Sequence, residues 1–269
     1  MLGASRESLA RQSEALDARR QSAGFDMLAG ELFSVAGLLE HEHQLRMALA
    51  DSGQLHAVRE GLVREILTGK VSDLAVAVLV DIVSDRWSND TDLMLAIEQL
   101  ADQAVFTVAE ADGSLDATDD ELFRFGRALD ESPELQMALT SPAQPAATKS
   151  AIVADLLADR TTSATRQVLE YAVGHLHGQR IDSVVDHLCD LAARQRERVI
   201  AEVRVAAPLD AEQSRRLADA LTRLKGRVVR LNVAIDPAVL GGVHVKVGDE
   251  VIDGTVAAKL EQARRVVLG

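Results

Sequence analysis

The sequence is poor in the residues that most chemistry and most nucleic-acid recognition require. Its 269 residues include one cysteine, Cys189, which excludes an internal disulfide and suits a reducing compartment. Aromatic residues make up 3% of the chain, too few for surfaces that stack the bases of single-stranded nucleic acid. No apolar run approaches the ~18 residues that suggest a membrane-spanning helix, so no direct membrane span is expected, although 47% of the residues are hydrophobic. The opening M-L-G-A-S-R-E-S lacks the apolar segment of a secretory signal.

Positive charge is also scarce. The formal net charge is −13, and it is unevenly spread. Residues 194–269 hold 14 Lys/Arg against 10 Asp/Glu, a net of +4, which leaves −17 on the rest. An acidic body repels phosphates, so no nucleic-acid partner is expected. It favours partners with basic segments, and it also serves solubility alone.

Catalytic and metal-binding constellations are missing. His41, Glu42, His43 and His56 lack a second ligand pair at metal spacing, and histidines at i and i+2 diverge on a helix. Gly241-Gly242 lacks the Gly-Lys-Ser/Thr ending of a phosphate loop and leads into a strand. The acidic stretch 112–121 does not follow calcium-loop order. Cys189 has no partnered base, and no nucleophile–base–orienter set is visible, so no cofactor and no active site are expected.

Helical periodicity is what the chain does contain. Ser5 to Arg20 reads as a charged helix with Ser5 as its cap and few apolar residues, so it is expected to lean on something else. From Phe25 onward, apolar residues recur at 3- and 4-residue spacing: Leu28, Leu32, Val35 and Leu39; then Leu45 to Leu49; Val58, Leu62 and Ile66; Leu74 to Val83; and Leu93, Ile97, Leu100 and Ala104. Trp87 and Tyr171 read as core or rim residues of these helices.

The pattern then repeats. Residues 31–54 and 121–144 align without a gap at an offset of 90, with nine identities in 24 positions. Among them are Glu31/Glu121, Leu32/Leu122, Phe33/Phe123, Leu39/Leu129, Met47/Met137 and Leu49/Leu139. Apolar matches continue downstream at Leu62-Val63/Ile152-Val153 and Val78-Leu79/Val168-Leu169. Matches that are mostly apolar mark a repeated core, so two tandem helical bundles of about 85 residues are expected.

After a helix from about Ile181 to Arg198 the period changes to two. Val199, Ala201, Val203 and Val205 alternate; Asp210 starts a helix through Leu217, Leu221 and Leu224; and Val229, Leu231, Val233 and Ile235 alternate again. Asp236-Pro237 stops that strand, because proline cannot donate to a ladder. Gly241-Gly242 permits a left-handed bend before Val243, Val245 and Val247. Gly248-Asp249 is a hairpin turn signal, Val251-Ile252 returns, and Asp253-Gly254 closes the hairpin with Asp253 placed to cap a following helix. The fold class is therefore mainly α with a small α/β C-terminal domain, divided as 1–115, 116–198 and 199–269.

The ordered string Asp236-Pro237, Gly241-Gly242, Gly248-Asp249, Asp253-Gly254 and the basic tail Leu260 to Leu268 resembles the C-terminal signature of the delta subunit of F-type ATP synthases. That family includes the mitochondrial oligomycin sensitivity-conferring protein. The E-L-F-R-F-G-R-A-L stretch from Glu121 resembles the opening of the family's helical domain, so residues 1–115 are an added, diverged duplicate of the kind associated with actinobacteria. The resemblance implies a non-catalytic peripheral-stalk subunit of the proton-translocating enzyme, at the cytoplasmic face of the bacterial membrane. It implies two partners: alpha-subunit N-terminal helices against 116–198, and b subunits against 199–269. Candidate walls of an alpha-binding groove are Leu122, Phe125 and Leu129 with Val184, Leu188 and Leu191, which serve equally well as bundle core. The first bundle either adds a second grip on the b-type stalk or lengthens and stiffens the connection. Two rival readings are a free-standing helical-repeat adaptor with a fortuitous C-terminal match and, with less in its favour, an enzyme.

Overall fold

The computed structural model describes residues 3–158, 160–197, 199–225, 229–236, 239, 242–247 and 250–253. Among these are twelve helices and four strands. The chain divides into two compact units, Met1–Gln195 and Arg196–Gly269.

The first unit opens with α1 (Ala4–Ala18) and continues with two runs of five helices. The first run is α2 (Phe25–His41), α3 (His43–Ala50), α4 (His56–Leu67), α5 (Asp73–Ser84) and α6 (Asp90–Asp112). The second is α7 (Leu115–Glu131), α8 (Pro133–Thr140), α9 (Ala146–Leu157), α10 (Ser163–Gly174) and α11 (Ile181–Glu197). The first four helices of each run share their bounds at an offset of 90 residues, and the fifth starts at an offset of 91. Apolar positions aligned in sequence are buried in both runs: Leu32 and Leu122, Leu39 and Leu129, Leu49 and Leu139, Val63 and Val153, Leu79 and Leu169. One continuous apolar core joins both runs.

Polar positions repeat as well. Glu31 accepts from the Ser72 backbone N–H and hydroxyl at 2.7 and 2.6 Å, and the Ser72 hydroxyl caps α5 by accepting from the Ala75 N–H. At +90, Glu121 accepts from the Thr162 N–H at 2.9 Å and the Thr165 hydroxyl at 2.6 Å, while Thr162 caps α10. Each glutamate thus satisfies an orphan donor at the start of a helix 41 residues away. Arg59 and Lys149, also 90 residues apart, are both buried. Arg59 donates to the Val83 and Asp85 carbonyls at the end of α5, where the helix dipole favours a cation.

Ser5 does not cap α1. Gly3 holds that position, and the buried Ser5 hydroxyl accepts from the Ser88 N–H at 2.8 Å. The expected lean of α1 is onto α6, α5 and the turn after α5. Gln103 of α6 donates to the Ser13 carbonyl and to Asp17 at 3.0 and 2.8 Å. Ser8 donates to the Arg86 carbonyl, Gln12 to Asp81 O and Asp85, and Arg11 pairs with Asp85 at 2.9 Å. Such long-range polar contacts let a helix with little apolar surface order itself.

The second unit is a four-stranded sheet in the order β2-β1-β3-β4, with β1 (Val199–Val205), β2 (Val229–Ile235), β3 (Val243–Val247) and β4 (Glu250–Asp253). β1 and β2 are parallel and joined through α12 (Ala211–Lys225), which packs on β2; β3 and β4 form the antiparallel hairpin. Ala201, Val203, Val205 and Val245 on the central strands are buried with Leu221 of α12. The alternating face of β2 is buried only at its start. Val229 is buried, while Val233 and Ile235 are 37% and 58% exposed, because β2 is an edge strand.

Replacing Glu121 with alanine removes the acceptor of three donors, the Thr162 N–H and hydroxyl and the buried Thr165 hydroxyl. The chain is expected to lose about 1–3 kcal/mol of stability in denaturant unfolding. The same change at exposed Glu131 should stay within about 0.5 kcal/mol. Equal effects at the two sites would contradict the capping role.

Candidate functional site

The most elaborated contact in the first unit lies where α10 of the second run packs against α2 and α6 of the first. Along α2, Gly30, Phe33, Gly37 and Glu40 follow at i, i+3, i+7 and i+10 and so share one face. The two glycines leave room. A Cβ at Gly30 would meet the Gln167 side chain at 3.8 Å, and one at Gly37 would meet His175 Nε2 at 3.6 Å. Between them Phe33 stacks on Tyr171 with ring centroids 4.0 Å apart, and Tyr171 stacks in turn on His175 at 4.0 Å.

A polar cluster borders these rings. The Tyr171 hydroxyl donates to Glu98 Oε1 at 2.6 Å. His177 Nε2 donates to both Glu98 oxygens at 2.9 and 3.0 Å, and its Nδ1 lies 3.4 Å from Glu40. His175 donates through Nδ1 to the Tyr171 carbonyl and places Nε2 3.6 Å from Glu40. His177 reaches this position from a left-handed backbone, φ +50°, which a non-glycine residue adopts only at a cost.

The cluster holds protons. The hydrogen bond to Glu98 is the main cause that raises His177 above the ordinary histidine value; burial opposes it, and the charges of Glu98 and Glu40 add to it. Burial, then the Glu98 charge, pushes the Asp102 carboxyl well above the usual carboxylate range. Burial, then the neighbouring acids, raises the Tyr171 phenol. Glu98 thus accepts from the Tyr171 hydroxyl and from His177 Nε2.

The equivalent face in the second run belongs to α7 and α11. Its α7 stripe reads Asp120, Phe123, Arg127 and Asp130, and Phe123 is 64% exposed where its counterpart Phe33 is 6% exposed. Of the expected groove walls, Leu122, Phe125, Leu129 and Leu188 are buried in the core, while Val184 and Leu191 are partly buried at its margin. The two helices meet closely, since a Cβ on Gly126 would lie 3.5 Å from Val185. Among the predicted walls, only Val184 and Leu191 therefore retain partial exposure.

The C-terminal signature is partly within the described residues. Asp236 follows β2, and its N–H donates to the Val205 carbonyl at 2.9 Å. Its own carbonyl accepts from the Val239 N–H, which turns the chain. Gly242 has φ +83°, the left-handed bend expected of the glycine pair. Asp253 ends β4 opposite His244. Pro237, Gly241, Gly248, Gly254, the helix expected after Asp253 and the basic tail lie outside the described residues.

Other residues raised by the sequence have local partners. His41 bonds the Gly37 carbonyl, His43 sits by Arg46 and Asp90, and His56 bonds Arg59. Among the described residues no group of three or more His, Cys, Asp or Glu is placed to hold a metal ion, and no helix is long and apolar enough to cross a membrane. Cys189 is half-buried, and burial with Asp119, Asp186 and Asp190 nearby pushes its thiol up to about 11. Sequence reasoning missed the Glu98 cluster. Glu98, Tyr171, His175 and His177 have Cys189, Asp81, Asp85 and Trp87 at the matching positions of the other run, so the repeat carries no signal for the cluster.

Comparison with known proteins assigns the family. The model of the ATP synthase delta (OSCP) subunit family matches residues 101–267, from the second half of α6 through the C-terminal unit. The chain belongs to this family. It is 43% identical to the ATP synthase subunit delta of Parafrankia sp. over 275 aligned residues, covering 98% of this chain and 99% of that one. The subunit delta of Streptomyces coelicolor is also 43% identical, over 98% and 97% of the two chains. That of Thermobifida fusca is 39% identical over the full length of both. These family members match essentially end to end, so α1 and the first helical run, which precede most of the family match, extend through them too.

Because the folded state holds the His177 proton more tightly than the unfolded state, this contribution is complete below the ordinary histidine value of ~6.5 and is lost as pH rises through the raised value. Asp102 acts with the same sign. Stability is expected to fall from pH 6.5 to 8 in thermal unfolding, with a smaller slope in His177→Gln. An unchanged slope in that variant would remove His177 as the cause.

Proposed function

We infer that this chain is a non-catalytic peripheral-stalk subunit that ties the catalytic head of the ATP synthase to its membrane-anchored b subunits while the rotor turns. In this reading residues 116–198 form the bundle that faces the alpha subunit, and 199–269 hold the b subunits. Residues 1–115 are a diverged duplicate of the bundle. The chain is a peripheral component at the cytoplasmic face of the membrane, and it carries no active site of its own. Family membership supports the stalk role and removes the case for an unrelated helical adaptor.

One observation favours the alpha-facing assignment. The α2/α6 face of the first run receives a helix, α10, and the matching α7/α11 face exposes an aromatic side chain at the position of Phe33. A face that takes one helix through a central aromatic ring is suited to take another in the same way. An amphipathic partner helix could lay its apolar stripe over exposed Phe123 and the partly buried Val184 and Leu191. On the second unit, exposed Val233 and Ile235 at the β2 edge offer apolar surface for the b-subunit contact.

Titration of the full chain with a synthetic alpha-subunit N-terminal peptide tests this. Phe123→Asp is expected to weaken binding at least tenfold and to change stability by no more than about 0.5 kcal/mol, because the side chain is exposed. Equal binding by the variant would contradict the assignment.

A further inference from the structure

The two helical runs present the same pair of surfaces, and the chain uses them in series. On the first run, the α5 face bearing Asp81 and Asp85 is engaged by α1 through Arg19, Arg11 and Gln12. On the second run the residues at those two positions are Tyr171 and His175, and they engage α2 and α6 of the first. The contact between the runs is therefore head-to-tail, and a head-to-tail contact leaves one complementary face unused at an end unless something caps it. Among the described residues the face left without such a helix is α7/α11.

The two faces have diverged in a way that sorts their ligands. Where the first run has Gly30 and Gly37, which admit Gln167 and His175 at van der Waals distance, the second has Asp120 and Arg127, both exposed. Glu40 is replaced by Asp130, also exposed. Charged side chains at those positions block the close approach that α10 makes. They favour instead a helix carrying basic groups opposite Asp120 and Asp130 and an acidic one near Arg127.

We propose that the α2/α6 face is a helix-docking site permanently filled by this chain's own α10, so the duplicated bundle adds no second grip on the head and each chain accepts one external helix, selected by Asp120, Arg127 and Asp130 around Phe123. The proposal rests on the alpha-facing reading for the identity of the external helix, but not for the filling of the first face. The duplicate then serves as a stiff extension, clamped by stacked rings and by Glu98.

Two measurements on the full chain test it. Calorimetric titration with the synthetic alpha-subunit peptide should give one equivalent, and Asp120→Lys/Asp130→Lys should weaken binding at least tenfold. A stoichiometry of two, or a charge-reversed variant that binds as well as the parent, would overturn the proposal. Separately, a Gly30→Cys/Gln167→Cys pair in a Cys189→Ser background should cross-link nearly completely with a short bifunctional thiol reagent, with or without saturating peptide. Poor cross-linking, or loss of the cross-link when peptide is added, would show the first face to be open or exchangeable and would sink the idea. Absence of any peptide binding would count against the alpha-facing assignment, and the cross-link would still decide whether α10 fills the first face.

Discussion

Glu98 accepting from Tyr171 and His177 is the contact on which the long first unit turns. A buried carboxylate without partners is costly, and here its partners come from another helical run. Separating the runs would strand the charge, open the Phe33–Tyr171 stack and expose the apolar core that α6 shares with α10. A stalk subunit has to transmit torque without yielding, so a joint that fails only by breaking several coupled contacts together is the appropriate construction. The strained backbone at His177 fits the same account, since the surrounding contacts hold it there.

Much of this was legible in the sequence. The offset of 90 found by aligning residues 31–54 with 121–144 is the offset of four consecutive helices, because conserved spacing of buried Leu32/Leu122 and Leu39/Leu129 fixes where each helix can lie. The change of period at Val199 marked the sheet, and Asp210 does start α12, accepting from the Gln213 N–H at 2.7 Å. Glu31 and Glu121 are among the few polar identities of that alignment, and the structure supplies the reason, since each buttresses a helix cap 41 residues away.

What was not legible is where the repeat breaks its own symmetry. Phe33 and Phe123 are the same residue at the same helical position, yet one is buried and the other exposed. The difference lies in what packs on them, which periodicity cannot report. Val233 and Ile235 read as a buried strand face because alternation does not distinguish a central strand from an edge one. The histidines that drew attention as possible metal ligands, His41, His43 and His56, bond within or beside their own helices, while His177, which clamps the joint, carried no motif.

The central claim is that both helical runs form one cooperative body. Each run carries a natural reporter: Trp87, the single tryptophan, in the first, and Cys189, the single cysteine, on α11 of the second. Equilibrium unfolding in denaturant, followed at once by Trp87 emission and by pulsed thiol labelling of Cys189, tests the claim directly. The account predicts one midpoint and one slope for both probes. Two separated transitions would mean that the runs fold independently and that the Glu98 joint does not unite them.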